Sequence, residues 1–379
     1  MKMKLVVLTI LLNSPMIFPQ INSNVLFTPS GFTQPLLSGY GESAIKNSAA
    51  NAGSLNPAAL GLFDNISTGI SYQYETDVDE AWGINTKDER ILNAVPQSFG
   101  LIIPVKNFSA ALSMNQLYNG YLNFHIPYTT SEQPDGTGEF FDINRRTKLY
   151  SYSFTASYSF FNISNRINIS IGARFNYNHL QHRSEEFYYY IDDSFPANNY
   201  SVGFILSKSE ENQFINIGLS YNSELRYDEE VDINWKDKPI YDYRSDYIVV
   251  TRRLFAEIPS SLRLDIYGGK SEKFEFTGSF AYRFWKNIGD NFKNQPEVSG
   301  NVIYKANELF SSSIGINYTD RNFEDFAGFN ENFHSVYFTL GGVLKFYGFD
   351  LHLVLADNRL FSGDYIKQTI AKAGLNYEF

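Results

Sequence analysis

The run YSYSFTASYSF at residues 150–160 decides the fold class of this chain. Its even-numbered residues are apolar or aromatic, and the residues between them are serine or threonine. An extended strand places successive side chains on opposite faces, whereas a helix would scatter the same residues around its axis. The run therefore predicts a β-strand with one apolar face and one hydroxyl-rich face.

The same alternation recurs along most of the chain. Residues 167–177 and 273–284 repeat it, with isoleucine or phenylalanine on one face and mostly polar residues on the other. About fourteen segments match this strand template. They lie near residues 67–75, 97–103, 108–116, 148–160, 167–177, 200–207, 214–223, 260–268, 273–284, 297–304, 309–318, 335–346, 349–355 and 369–379.

The connections between these segments alternate in length. Short ones, such as 104–107 and 208–213, alternate with long ones, such as 117–147 and 224–259. Bacterial outer-membrane barrels have short periplasmic turns, longer outer loops and an even number of strands. We therefore predict an all-β fold, a transmembrane antiparallel β-barrel of about fourteen strands over residues 66–379.

The N-terminus predicts export. Lys2 and Lys4 precede a short apolar run at residues 5–12. That run is too short to span a bilayer, and its pattern is typical of a secretory signal peptide, which we assign to residues 1–20. Together with the barrel, it predicts the outer membrane of a Gram-negative-type bacterium as the location of the mature protein.

The C-terminus has a second export feature. Residues 371–379 alternate without a break, and the chain stops on Tyr377-Glu378-Phe379. This ending closely resembles the terminal strand by which outer-membrane barrels are recognised by their assembly machinery. Tyr377 and Phe379 are therefore predicted to be the assembly signal.

The composition excludes several classes of function. The chain has no cysteine, which rules out disulfides, thiolate metal sites and cysteine nucleophiles. Its formal net charge of -10 argues against a nucleic-acid partner. No G-x-S-x-G elbow occurs, and we predict neither an enzyme nor a bound cofactor.

Residues 21–65 do not alternate, and we predict that they form a plug. A fourteen-stranded barrel is wider than the eight-stranded size that wall side chains fill, so another segment must occupy its lumen. Phe27, Phe32, Leu36 and Leu37 are candidates for a ligand pocket, although a purely structural plug core explains them equally well.

Three short motifs resemble the FadL-type outer-membrane transporters. The sequence NPAAL at 56–60 is similar to the N-P-A-G-L signature of that family, VPQSFGLIIP at 95–104 to its Pro-Ser-Phe-Gly strand, and IPSSLRL at 258–264 to its Pro-Ser-x-x-Arg-Leu strand entry. The resemblance implies a fourteen-stranded barrel with an N-terminal hatch. It also implies that hydrophobic molecules enter from outside and leave sideways.

Within the first motif, Asn56, Pro57 and Ala58 are predicted to form a tight turn where the plug meets the periplasmic end of the barrel. Proline fixes its own φ angle and biases the preceding residue away from helix, and asparagine hydrogen-bonds to its own backbone in turns. One departure from the family is the stretch GYGESAIKNSAANAGS at 39–54, which lacks the usual Met-Gly-Gly-Ala run.

The resemblance is compatible with three different functions. The first prediction is passive uptake of a small hydrophobic compound, with outer-membrane lipid and the assembly machinery as further partners. Type IX secretion barrels of the PorV and PorQ kind share the architecture, so a protein-interaction barrel is the main alternative. A structural or adhesive barrel is the third.

The strand assignments point charged residues of both signs into the lumen. Mixed signs predict mutual pairing and contacts with the plug, whereas a ring of one sign would indicate an ion-selective pore. These residues are Arg174, Arg263, Asp265, Glu275, Arg283, Lys345, Lys372 and Glu378.

Two other polar groups are interpreted as solvated loops. His179 and His182 have metal-ligand spacing, but no fixed third ligand accompanies them, so no metal site is predicted. Acidic clusters at 77–80, 228–230 and 320–325 fall in predicted outer loops, where divalent cations are the less favoured alternative.

Overall fold

The computed structural model describes most of the predicted barrel and part of the predicted plug. The predicted signal peptide and the pocket candidates Phe27, Phe32, Leu36 and Leu37 lie outside the described residues. Those residues are 23–24, 43–46, 48–80, 93–127, 140–164, 166–185, 189–210, 213–235, 251–270, 273–288, 292–320, 335–360 and 366–379.

The described chain is built almost entirely of strands. Within it, no helix is long and apolar enough to cross a bilayer. Short 3-10 turns occur at Ala49–Asn51, Pro57–Leu62 and Trp285–Asn287. The strands are β1 (Ser23–Asn24), β2 (Ser67–Glu80), β3 (Asn93–Val105), β4 (Phe108–Pro127), β5 (Phe140–Ser164), β6 (Ile167–Glu185), β7 (Tyr189–Glu210), β8 (Gln213–Asn222), β9 (Leu225–Asp232), β10 (Asn234–Trp235), β11 (Thr251–Ile258), β12 (Ser261–Lys270), β13 (Phe274–Arg283), β14 (Gln295–Lys305), β15 (Phe310–Thr319), β16 (Ser335–Phe346), β17 (Phe349–Asp357) and β18 (Ile366–Glu378).

Fourteen of the described strands close into one antiparallel barrel. Strands β2 to β8 pair in sequence order, β8 pairs with β12, and β12 to β18 continue the order. The barrel closes where β18 pairs with β2. This arrangement confirms the prediction of a transmembrane barrel of about fourteen strands, and every predicted strand segment overlaps one of these strands.

The barrel is apolar outside and polar inside over the height of one membrane. Phe154, Phe175 and Leu219 point outward and are each at least 50% exposed. Ser153 and Thr155 point inward and are buried. We infer that lipid covers the outer face, because exposed aromatic and aliphatic side chains at this density are unfavourable in water.

Rings of aromatic residues mark the two edges of this apolar belt. At the outer edge, Tyr152 and Tyr177 are register partners, and Tyr200 on β7 is the register partner of the nearby Phe175. At the periplasmic edge, the Tyr377 ring lies 4.6 Å from Phe349 and 4.8 Å from Phe379. Tyrosine suits this level because its ring is apolar and its hydroxyl is hydrated.

Four strands continue beyond the outer edge of the belt, and their sidedness reverses. On β6, Leu180 points inward and is fully buried, whereas Gln181 and Arg183 point outward and are exposed. We name this region, residues 118–127, 140–149, 178–185 and 189–198, the outer extension. The predicted long connection over 117–147 is therefore wrong over residues 117–127 and 140–147, which are strand. Residues 178–185 and 189–199, between two predicted strands, are also strand and alternate with the polar face outside.

A hairpin formed by β9 and β11 fills the inside of the outer extension. Its residues Tyr227, Val231 and Leu254 are buried in one apolar cluster with Leu149 and Leu180 of the wall. Sequence inspection placed this hairpin within a long loop. The miss has a physical reason, since the acidic run in β9 disguises the alternation of its buried face.

Candidate functional site: plug, cavity and wall

The described part of the predicted plug lies inside the barrel. Residues 48–62 contain two of the 3-10 turns, and their apolar side chains are buried against the inner wall. Ala49, Ala52 and Leu60 pack with Ile102 of β3 in one small core. The segment descends through the lumen: Asn56 and Pro57 contact the wall halfway along the belt, at Phe204 and Gly172, and Gly61 reaches Ser159 near a periplasmic turn. The turn at Asn56 therefore lies deeper in the barrel than the predicted periplasmic end.

The side-chain amide of Asn56 links the plug to the wall: its oxygen bonds within the plug, and its nitrogen reaches the wall. Its Oδ1 accepts a hydrogen bond from the Ala58 amide at 3.0 Å, which caps the 3-10 turn that Pro57 begins. Its Nδ2 lies 3.3 Å from the carbonyl oxygen of Phe204 and 3.5 Å from that of Leu219. The side chain is fully buried, so each of these groups replaces water as its partner.

Glycines on the inner wall provide the space in which the plug lies. A Cβ added to Gly172 would come within 2.4 Å of the Pro57 carbonyl carbon. A Cβ on Gly100 would come within 1.9 Å of the Ala49 carbonyl oxygen. Any larger residue at these positions would therefore displace the plug backbone.

Further polar contacts hold the plug at other points around the wall. Ser98 donates to Asn51 Oδ1 at 3.0 Å, and Asn376 Oδ1 accepts from the Ala50 amide at 3.2 Å. Lys46 forms an ion pair with Glu275 of β13. Burial lowers the pKa of Lys46, and the neighbouring Glu275 carboxylate opposes that shift.

Most of the predicted lumen charges are paired. Arg263 Nε lies 3.1 Å from Asp265 Oδ1, and Arg283 Nε lies 2.9 Å from Glu297 Oε1. Glu275 pairs with both Lys46 and Lys305. The structure thus places Arg263, Asp265, Glu275 and Arg283 in ion pairs, and Glu297 is a partner that inspection of the sequence did not single out.

Arg174 is the exception among these charges. Its Nε and Nη2 donate to Asn176 and Ser153 at 2.7 Å each, and no described carboxylate pairs with it. Its Nη1 is buried without a hydrogen-bond partner, and the residue is 4% exposed. Because a guanidinium stays protonated in proteins, this site carries an unneutralised positive charge.

Arg174 lines a cavity of about 170 Å³ between the plug and the outer hairpin. Plug residues Ser54 and Leu55 line one side, and Leu225 and Ile258 line the side towards the hairpin. The cavity is therefore amphipathic: it presents aliphatic groups together with Arg174, the paired Arg263 and the Arg283–Glu297 ion pair. The wall contributes mainly amides and hydroxyls, from Gln97, Asn115, Gln116, Ser151, Asn176, Asn199, Ser201, Asn222 and Ser261.

The barrel wall divides beside this cavity. The described pairing of β3 with β4 ends at Ser98 and Asn115. Beyond that point β3 stays paired only with β2, and β4 stays paired only with β5. Register shifts leave Gln97 and Leu117 as bulged residues at the point of divergence, and both line the cavity.

The two neighbouring histidines do not form a joint site. Both lie on β6, where a separation of three residues places them on opposite faces. His182 is buried, with Nδ1 3.0 Å from Thr147 Oγ1, whereas His179 points outward. Across the described ranges, no group of three potential ligands could hold a metal ion.

The fold and site define a plugged, fourteen-stranded transmembrane barrel with a divided wall. No protein-family model and no curated protein matches the sequence. Solved structures do match. A Pseudomonas aeruginosa FadL homologue is 12% identical, over 92% of this chain and all of that one, with a TM-score of 0.60.

Two toluene transporters are also similar. The Ralstonia pickettii toluene transporter TbuX is 10% identical over 91% of this chain and 100% of its own, with a TM-score of 0.60. The Pseudomonas putida toluene transporter TodX is 12% identical over 89% of this chain and 97% of its own, with a TM-score of 0.54. At these identities the likeness concerns the fold, which is that of FadL-type transporters.

Proposed function

We propose that this protein is an outer-membrane channel for the passive uptake of small hydrophobic compounds. The observation that carries the proposal is the division between β3 and β4 beside the central cavity. A compound in that cavity has a lateral path into the bilayer between the two strands. Such a path avoids the plug, which lies in the lumen between the cavity and the periplasmic end.

The apolar exterior supports this route. The two strands that border the division, β3 and β4, present exposed apolar residues such as Phe99 and Leu112 just below it. A hydrophobic solute that leaves the cavity sideways meets hydrocarbon and does not cross water. The fold is similar to that of two toluene transporters, which is consistent with this route.

Arg174 refines the class of compound. Its unpaired Nη1 lies in a cavity that also presents Leu55, Leu117 and Ile258. A carboxylate bound to Arg174 would satisfy the buried donor and neutralise its charge. We therefore propose that hydrophobic compounds with an acidic group are preferred over pure hydrocarbons of similar size.

A cross-link across the division tests the lateral route. The chain has no cysteine, so a Gln97→Cys/Leu117→Cys pair joined by a bifunctional maleimide reports on this site alone. We expect uptake of a fluorescent fatty acid into liposomes to fall at least about tenfold. The control is Phe99→Cys/Met114→Cys, a register pair in the intact ladder, which should be unaffected by the reagent.

Unchanged uptake after quantitative cross-linking at residues 97 and 117 would rule out the lateral route. Native mass spectrometry of the purified protein addresses the main alternative. A co-purifying protein without any small ligand would favour the type IX secretion interpretation, whereas a retained organic acid favours transport.

A further inference from the structure

The outward faces of β5 and β6 change from aromatic to basic at the outer edge of the membrane belt. Tyr152 and Tyr177 are register partners at that edge. Further up the same two faces lie Lys148 and then Arg146 and Arg183, which are themselves register partners. Arg146 and Arg183 are exposed and Lys148 is half-buried, so all three are accessible from outside the barrel.

The arrangement of these bases is electrostatically unfavourable by itself. Like charges directly opposite on an antiparallel pair destabilise the sheet. Arg146 and Arg183 occupy such positions, and Lys148 lies two residues from Arg146 on the same face. Among the described residues, no ion pair links any of the three to a carboxylate.

The neighbouring elements neutralise the patch only in part. On β4, the register partners of Arg146 and Lys148 are Tyr121 and Asn119, which carry no charge. Two carboxylates border the Arg183 side. Asp192 faces it from β7, and Glu185 lies two residues further along β6. Arg146 and Lys148 have no acidic register partner, and the patch keeps a net positive charge.

We propose that Arg146, Lys148 and Arg183 bind the phosphate groups of a phosphorylated glycolipid in the outer leaflet. Four residues separate Lys148 from Tyr152, which for a tilted strand amounts to about 10 Å above the tyrosines. That height lies just outside the hydrocarbon core and its interface, where the bulky headgroup of a glycolipid projects. Guanidinium groups bind phosphate oxygens in a bidentate manner, and the ammonium group adds a point charge.

The phosphate belongs to a lipid and is not free phosphate, because the patch continues directly from the lipid-facing surface. Acyl chains packed on Tyr152 and Tyr177 would hold the headgroup against the bases above them. The inference rests on the proposed outer-membrane location and is independent of transport.

The test is lipid retention by the full chain, refolded in detergent and analysed by native mass spectrometry. The probes are a bisphosphorylated lipid A, the same lipid without phosphates, and inorganic phosphate. We expect wild-type protein to retain the bisphosphorylated lipid at least about tenfold better than its dephosphorylated form. The Arg146→Gln/Lys148→Gln/Arg183→Gln variant should lose this preference, while its uptake of hydrophobic acids stays unchanged.

Lys270→Gln is the matched control, because Lys270 is an exposed base at the periplasmic end of β12. It should retain lipid as the wild type does. Equal retention by the triple variant, or an equal loss in the control, would overturn the proposal, as would binding of inorganic phosphate as tight as that of the lipid. Heat-modifiability in gels verifies folding, and the single Arg146→Gln change is tested if the triple variant folds poorly.

Discussion

The membrane belt and the outer extension are two stretches of the same strands with opposite sidedness. In the belt, β6 presents Phe175 outward and Arg174 inward. In the extension, the same strand presents Arg183 outward and Leu180 inward. The change takes place around Tyr177, within a few residues and without a break in the backbone pattern.

This difference shows that the surrounding solvent determines which face of an alternating strand is apolar. Below the tyrosines the solvent is hydrocarbon, so apolar residues point out and the polar lumen needs a plug. Above them the solvent is water, so the strands enclose an ordinary apolar core with the β9–β11 hairpin. A substitution should therefore have opposite consequences in the two regions.

The largest expected effect is the loss of an inward leucine from the extension. Leu180→Ala should cost about 2–5 kcal/mol, because Leu180 is fully buried in the hairpin cluster. Hydrogen exchange in residues 178–185 should accelerate strongly, while residues 167–177 stay protected. Leu219→Ala, an outward change in the belt, is the control, since lipid chains refill its space. Similar losses in both variants would contradict the comparison.

A charge placed outward should discriminate almost as strongly between the regions. Phe204→Arg points into the hydrocarbon and should cost about 2–4 kcal/mol near the midplane. Ser194→Arg lies outward on the same strand in the extension, where water solvates the new charge. Unfolding in urea, followed by gel mobility, measures both. Equal destabilisation would mean that the belt does not end at the tyrosines.

The sequence predicted the belt well and the extension poorly. Alternation of apolar and small polar residues identified every barrel strand, because lipid requires an almost wholly apolar outer face. Above the membrane both faces mix polar and apolar residues, as in Asn178 to Glu185, and the pattern resembles a loop. The hairpin escaped detection for the same reason.

The candidate site, too, was predicted from the sequence only in part. The turn at Asn56-Pro57-Ala58 could be anticipated from the sequence because its chemistry is local, but its depth in the barrel could not. The hydrogen bonds from Asn56 to the carbonyl groups of Phe204 and Leu219 could not be predicted, since those residues lie far along the chain. The division of the wall depends on where the ladder between β3 and β4 stops, which no single-residue signal indicates.

Asn56 tests whether polar groups hold the inside of the belt together. Asn56→Ala removes the cap on Ala58 and both contacts with the wall, at a cost of about 1–3 kcal/mol. Asn56→Asp keeps the acceptor but places a carboxylate against two carbonyl oxygens, so it should be at least as harmful. Both should increase open events in planar-bilayer recordings. Closed channels in both variants would show that the plug is held without Asn56.

The smallest expected effects compare two glycines on opposite faces of the belt wall. Gly172→Ala directs a methyl group at the Pro57 carbonyl carbon, 2.4 Å away, and should cost about 1–3 kcal/mol by displacing the plug. Gly300→Ala points to lipid, where the nearest atom is 3.8 Å away, and should gain up to about 1 kcal/mol by stiffening the strand. Unfolding midpoints should therefore shift in opposite directions, and only the Gly172 variant should conduct more. A neutral Gly172→Ala would show that the plug backbone can move away from the wall, because the methyl group has no other space to occupy.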